Sequence, residues 1–253
     1  MIGIQKIESY IPDGRVSNYA RKGQFGVDDD FIRDKIGIDH VAVMGEDEDT
    51  SELCVKAFMK LLASGDVQKD KIDLLVVVTQ NPDTNIPHAS ALAHGKLDLP
   101  LSCACFDISL GCSGFVYGLS IVQSFMEANS FRAGVLITAD PYSKIVDPKD
   151  KDTAMLFGDA ASATLVSLNP QYITRGFSFG TLGRESDQLK CVDGRLHMNG
   201  RAIFNLVAKH VYTDIKHLLA DQEVDLEKVN RFIFHQGSKF VVETLARRLG
   251  VEA

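Results

Sequence analysis

Leu74-Leu-Val-Val-Val-Thr79 and Gly134-Val-Leu-Ile-Thr138 are unbroken apolar runs of strand length. A sheet with one wet face needs alternating polar residues, so these runs predict strands covered on both faces. Strand-like segments at 2–9, 73–79, 103–109, 133–139, 161–168, 172–180 and 230–235 alternate with helix-like segments. The latter fall at 28–36, 50–64, 88–95, 113–128, 152–157, 198–220 and 238–249. This alternation predicts an α/β architecture with a mainly parallel sheet. The 253 residues, 45% hydrophobic and 24% charged, suffice for one large domain or two closely packed halves.

An internal repeat favours two halves. At an offset of 157 residues, Leu61-Leu62-Ala63 falls on Leu218-Leu219-Ala220, Asp66-Val67 on Glu223-Val224, and Lys71-Ile72-Asp73 on Lys228-Val229-Asn230. Each copy reads as an amphipathic helix, a charged turn, an apolar strand, a polar loop and a second helix, which predicts duplication. The halves are drawn at 1–169 and 170–253. The counterpart of Cys112 would fall beyond Ala253, so the second half is expected to be incomplete at its C-terminus and the chain to be a fragment.

A net charge of −7 argues against nucleic acid as a partner, because a phosphate-binding surface needs a basic excess. The five cysteines are odd in number and form no CxxC pair, which suits a reducing compartment. No window approaches the ~20 apolar residues of a membrane span, and the N-terminus has no secretory stretch. The expectation is a soluble, cytoplasmic protein without a metal site.

Chemistry concentrates in Cys105-Phe-Asp-Ile-Ser-Leu-Gly-Cys112-Ser-Gly-Phe115. Residues 104–109 alternate as a strand, and from Gly114 to Met126 the chain is apolar almost all round, predicting a buried helix. Cys112 is expected in that helix's first turn, where unpaired N–H groups and the dipole favour a thiolate. Gly111 and Gly114 allow a sharp turn and close approach of a ligand. His235 ends the apolar run Arg231-Phe-Ile-Phe-His and precedes Gln236-Gly237-Ser238, so it is expected at a strand end facing a crevice. A thiolate and an imidazole together suit nucleophilic acyl chemistry. His40, His88, His94, His197, His210 and His217 lack partners at metal-ligand spacing and read as surface or core residues. Gly176-Phe-Ser178-Phe-Gly180 matches the G-x-S-x-G elbow of serine hydrolases, but no helical pattern follows it, so a plain strand is expected.

In combination, Gly-Cys112-Ser-Gly-Phe, Leu156-Phe-Gly-Asp159, Met198-Asn-Gly-Arg-Ala-Ile-Phe204 and His235-Gln resemble the β-ketoacyl-[acyl-carrier-protein] synthase III family. The resemblance runs from Ile2 to the last residue and implies the duplicated, layered thiolase-like α/β/α/β/α fold. It implies that Cys112 takes an acyl group from acyl-CoA, a substrate, with no cofactor. Malonyl-acyl carrier protein then decarboxylates and its enolate attacks the thioester. His235 would stabilise the enolate oxygen, as a neutral N–H donor in a dry site can, and the Cys112 backbone N–H would form half of an oxyanion hole. A homodimer is implied, with Asn85-Ile-Pro87 near the partner's acyl pocket and Ile86 as its wall. Phe157, Asn199 and Phe204 are implied in substrate binding. Phe31 stands where relatives use Trp to stack on the CoA adenine, and Lys151 where an arginine covers its other face. A phenyl ring and an ammonium stack less well than indole and guanidinium, so weaker CoA binding or a different acyl donor is expected. The family's third catalytic residue, an asparagine about thirty residues after the histidine, has no counterpart here, nor does its late glycine loop. The chain as it stands is therefore expected to be incomplete as an enzyme.

Arg201, Lys209, Lys239, Arg247 and Arg248 form a candidate basic patch for docking an acidic acyl carrier protein. The alternatives keep the acyl-cysteine but transfer the acyl group to a hydroxyl or amine, or make the chain a non-catalytic partner subunit. A hydrolase using Ser178 ranks last.

Overall fold

The apolar runs become the interior strands of a five-stranded sheet. In the computed structural model, which describes residues 1–252, strands β1 (Gly3–Tyr10), β4 (Leu74–Val78), β5 (Ala104–Ile108), β6 (Ala133–Ala139) and β7 (Ala161–Ser167) pair in the order β1-β7-β6-β4-β5. β4 is buried at every position, as its unbroken pattern requires. Helices α3 (Thr50–Ala63) and α4 (Ala89–Leu97) cover one face, where Phe58, Leu61 and Ala93 meet Leu75, Val77, Val135, Ile137 and Leu165. Helix α5 (Gly114–Asn129) covers the other, packing on β4 and β6. Fully burying one such aliphatic or aromatic side chain contributes about 1.5–3 kcal/mol.

The sheet is mixed rather than mainly parallel. β4 runs parallel to β5 and β6, while β7 is antiparallel to β6 and to β1. The connections explain it. α4 and α5 are crossover helices between parallel strands, but between β6 and β7 lie only a short 3-10 turn and the four-residue α6 (Lys151–Ala154). Parallel return needs a long crossover, so β7 turns back antiparallel.

Contacts divide the chain into two units that interleave along the sequence. Unit 1 comprises Met1–Gly14, Ala42–Tyr142 and Asp159–Thr174, and holds this sheet. Unit 2 comprises Arg15–Val41, Ser143–Gly158 and the residues from Arg175 onward. Beside α6 it contains α1 (Asn18–Phe25), α2 (Asp29–Phe31), α7 (Gly200–Asp221), α8 (Lys239–Leu249) and the hairpin β8 (Leu189–Val192)–β9 (Arg195–Met198). α2 continues as a wide π turn, Ile32–Ile36. A short ribbon, β2 (Gly14–Ser17) with β3 (His40–Val43), lies where the chain passes between the units. The 157-residue offset recurs in local structure: 3-10 turns occupy Lys69–Lys71 and Leu226–Lys228.

Two expected strands are absent. Of 172–180 only Tyr172 bridges Ile4, and 230–235 is irregular. Beyond that single bridge to β1, no strand pairs with either segment among the described residues, and an isolated strand leaves its ladder groups unpaired. The helix expected at 152–157 shrinks to α6. α5 is also less enclosed than its composition implies: Gly118, Leu119, Val122 and Met126 are buried, but Val116 and Ile121 are exposed.

Gly114 opens α5 directly over Val78, and an added Cβ would come closer to Val78 Cγ1 than real Cβ atoms tolerate. Gly114→Ala is therefore expected to destabilise the protein by about 1–3 kcal/mol. Thermal unfolding checks this, and a double-mutant cycle with Val78→Ala should show a coupling of at least about 0.5 kcal/mol.

Candidate active site

Three parallel strands end on one side of the sheet, the side where open α/β sheets hold ligands. β4 runs into Thr79-Gln80-Asn81, β5 into Leu110-Gly111-Cys112, and β6 into Asp140-Pro-Tyr142. Cys112 is exposed, and Gly111 beside it lies under two side chains. A Cβ on Gly111 would stand 2.6 Å from Gln80 Oε1 and 3.1 Å from the Tyr142 hydroxyl oxygen, so the tips of both side chains close over this glycine and would have to give way to a larger residue. The Tyr142 hydroxyl donates to Gln80 Oε1 at 3.2 Å. Asp140 Oδ1 accepts from Asn81 Nδ2 at 2.6 Å, from the Gln80 N–H at 3.1 Å and from Thr79 Oγ1 at 3.3 Å.

Electrostatics corrects the expectation of a dipole-stabilised thiolate. Cys112 lies two residues before the first helical residue of α5, and Ser113, the N-cap, makes no side-chain cap bond. Removal from water pushes the Cys112 thiol up, the nearby Asp140 charge pushes it further, and a bond from its own backbone N–H only partly offsets this. Burial likewise raises the Asp140 carboxyl against the pull of its donors. Burial first, then the Asp140 charge, raises the Tyr142 phenol. The balance favours the thiol form of Cys112 over the thiolate.

A larger cavity of unit 1, about 620 Å³, lies at the opposite strand ends, among Gln5, Asp66, Lys71, Asp73 and Arg132. Neither cysteine nor histidine lines it, so the candidate site is taken at the carboxyl ends, where Cys112 stands.

In unit 2, residues 170 positions apart converge. Phe31, Lys151, Arg201 and Phe204 line one cavity of about 320 Å³. Lys151 Nζ lies 5.6 Å from the Phe31 ring centroid, so the ammonium sits over Phe31 itself. Two lining residues had no signal in the sequence: Phe240, whose ring centroid is 4.9 Å from that of Phe204, and Lys35, whose Nζ is 4.1 Å from the Phe240 centroid. Aromatic faces beside cations suit a flat ring carrying anionic groups.

The other expected site residues are placed as follows. His235 lies in irregular chain rather than at a strand end; surrounding protein strips part of its hydration and lowers its pKa, favouring neutral imidazole. Asn199 spends its side-chain oxygen capping α7, accepting from the Ala202 N–H at 3.1 Å. Phe157 is half-buried and its N–H donates to the Thr153 carbonyl at 3.1 Å. Ile86 is 89% exposed. Lys209, Lys239, Arg247 and Arg248 are exposed. Lys239 faces Glu243 at 3.7 Å, and the Arg248 guanidinium donates to the Ala208 carbonyl and lies 4.7 Å from the Tyr212 ring centroid. Ser178 sits in irregular chain, its Oγ donating to Asp214 at 2.5 Å, with no helix behind it to form an elbow. His88 Nε2 lies 3.9 Å from Cys105 Sγ, and burial raises that thiol too. No helix among the described residues is long and apolar enough to cross a membrane.

Residues 106–183 match the family profile described as 3-oxoacyl-[acyl-carrier-protein] synthase III. A β-ketoacyl-[acyl-carrier-protein] synthase III of Clostridium kluyveri is 30% identical over 99% of this chain and 81% of its own length. A crystal structure of a 3-oxoacyl-(acyl-carrier-protein) synthase III superposes with a TM-score of 0.93 at 28% identity, covering 99% of this chain and 83% of that one. The Thermus thermophilus β-ketoacyl-[acyl carrier protein] synthase III gives 0.91 at 27% identity, covering 99% and 81%. The thiolase-like fold expected from the motifs is thus the fold of this chain.

Alkylation of Cys112 by iodoacetamide should keep accelerating above the ordinary thiol pKa of about 8.5, because its pKa is raised. Rates measured by mass spectrometry from pH 6 to 10 check this; a plateau below pH 8 contradicts it.

Proposed function

Because the chain belongs to the β-ketoacyl-[acyl-carrier-protein] synthase III family, we propose that it is an acyl-CoA-primed condensing enzyme of fatty acid synthesis. The observation that carries this reading is 30% identity to such a synthase across 99% of the chain. Its relatives are condensing enzymes, so acyl transfer to a hydroxyl or amine, and a purely structural subunit, are not favoured.

In this reading Cys112 loses its proton and attacks the acyl-CoA carbonyl. The tetrahedral intermediate collapses with release of CoA thiolate, which takes up a proton, and leaves an acyl-cysteine. Malonyl-acyl carrier protein loses CO₂ to give an enolate, which attacks the thioester carbonyl and expels the Cys112 thiolate. His235 serves as a neutral N–H donor to the enolate oxygen, a role its lowered pKa supports. Phe31, Lys151, Phe204 and Arg201 receive the nucleotide end of CoA, supported by their shared cavity and its cation–aromatic lining. Phe157 and Asn199 complete the substrate-binding set by resemblance alone.

Carrier protein, being acidic, docks on the basic side chains of α7 and α8, namely Arg201, Lys209, Lys239, Arg247 and Arg248. The protein works as a homodimer, a reading supported by β5 standing at the sheet edge and by the exposure of Ile86 on the loop before α4. The absence of disulfides among five free cysteines supports the cytoplasm as its location.

Incubation with a panel of acyl-CoAs should add one acyl mass to Cys112, and Cys112→Ala should abolish it; unmodified wild-type protein across the panel refutes the reading. Phe31→Ala should raise KM for acyl-CoA about three- to tenfold, equivalent to loss of a cation–π or stacking contact of about 1 kcal/mol, with kcat changed less than twofold. Carrier-protein binding should weaken clearly between about 50 and 200 mM salt if the basic patch steers it.

A further inference from the structure

Asp140 has a buried oxygen that nothing in the acyl chemistry above employs. Its Oδ2 has no hydrogen-bond partner, and an unpaired buried carboxylate oxygen is costly enough that folds rarely keep one without a use. Its Oδ1 is saturated: Thr79, Gln80 and Asn81, three consecutive residues leaving β4, all donate to it. One carboxylate therefore ties the end of β4 to the end of β6. The tie continues to the nucleophile, because Gln80 Oε1 and the Tyr142 hydroxyl close over Gly111, one residue before Cys112.

We propose that Asp140 is a positioning residue for the nucleophile, holding Gln80 and Tyr142 over Gly111 so that the turn carrying Cys112 is fixed for attack on a thioester. This rests on the acyl-transfer reading above. The charge of Asp140 also opposes ionisation of Cys112, so the same carboxylate orients the thiol and restrains its reactivity toward small electrophiles. Acyl transfer from a large thioester depends on orientation, and a misplacement of about 1 Å costs on the order of a hundredfold. Alkylation by iodoacetamide depends chiefly on the thiolate fraction.

The two rates should consequently move in opposite directions. At pH 7 in the full chain, Asp140→Ala should raise Cys112 alkylation by iodoacetamide at least about threefold, because a like charge is removed. It should lower the rate of acyl-enzyme formation from acetyl-CoA, or whichever acyl-CoA loads fastest, at least about tenfold. Asp140→Asn, which preserves volume and an acceptor oxygen for Gln80 and Asn81, should raise alkylation similarly while keeping acylation within about threefold of wild type. This variant carries the test if the alanine form fails to fold. Gln80→Ala, with Asp140 intact, should slow acylation about fivefold or more and leave alkylation within about twofold.

The proposal is overturned if Asp140→Ala acylates within twofold of wild type, if both rates fall together in the Asp140 variants, or if Gln80→Ala acylates normally. Wild-type protein that accepts no acyl group from any acyl-CoA would refute the activity instead. The alkylation rates would then still decide on Asp140: a rise in both variants upholds its influence on Cys112, and no change removes it.

Discussion

The contact between the start of α5 and the sheet governs the rest of the structure. Gly114 and Gly118 place the helix backbone against Val78 and Leu136, closer than any side chain at those positions permits. That approach sets the height at which α5 begins above β4, and so where Gly111 and Cys112 leave β5. Close packing of this kind transmits position because interiors are as dense as organic crystals and yield little. The reactive sulfur owes its place to two missing methyl groups on the neighbouring helix.

The surroundings of Cys112 are acidic rather than activating. Loss of water pushes Cys112, Asp140 and Tyr142 toward their neutral forms, and the Asp140 charge adds to this at both Cys112 and Tyr142. A raised thiol pKa lowers the thiolate fraction and so slows oxidation and alkylation, since the thiolate is the reactive species.

In unit 2, three rings and two ammonium groups line a cavity built from segments far apart in the chain. Phe31 belongs to α2, Lys151 to α6, Phe204 to α7 and Phe240 to α8. Phenyl and ammonium groups give a weaker platform than indole and guanidinium. The ring of Phe240 and the ammonium of Lys35 add a third aromatic face and a second ammonium to the same lining.

Local pattern determined the covered strands, the helices and the candidates Cys112 and His235. Apolar runs and 3.6-residue periodicity are written in consecutive residues, and Leu74–Val78 and Gly114–Asn129 follow them closely. The β8–β9 hairpin was not among the expected elements, although its Asp193-Gly194 dipeptide, with both residues at positive φ, is a turn signal. Tertiary structure alone decided what depends on neighbours distant in sequence. Segments 172–180 and 230–235 have strand-like composition, yet a strand exists only where another lies alongside it. β7 turned antiparallel because no crossover helix precedes it. The thiol of Cys112 is raised chiefly by burial and further by Asp140, 28 residues away, so its pKa depends on its tertiary surroundings and not on helix position read from sequence.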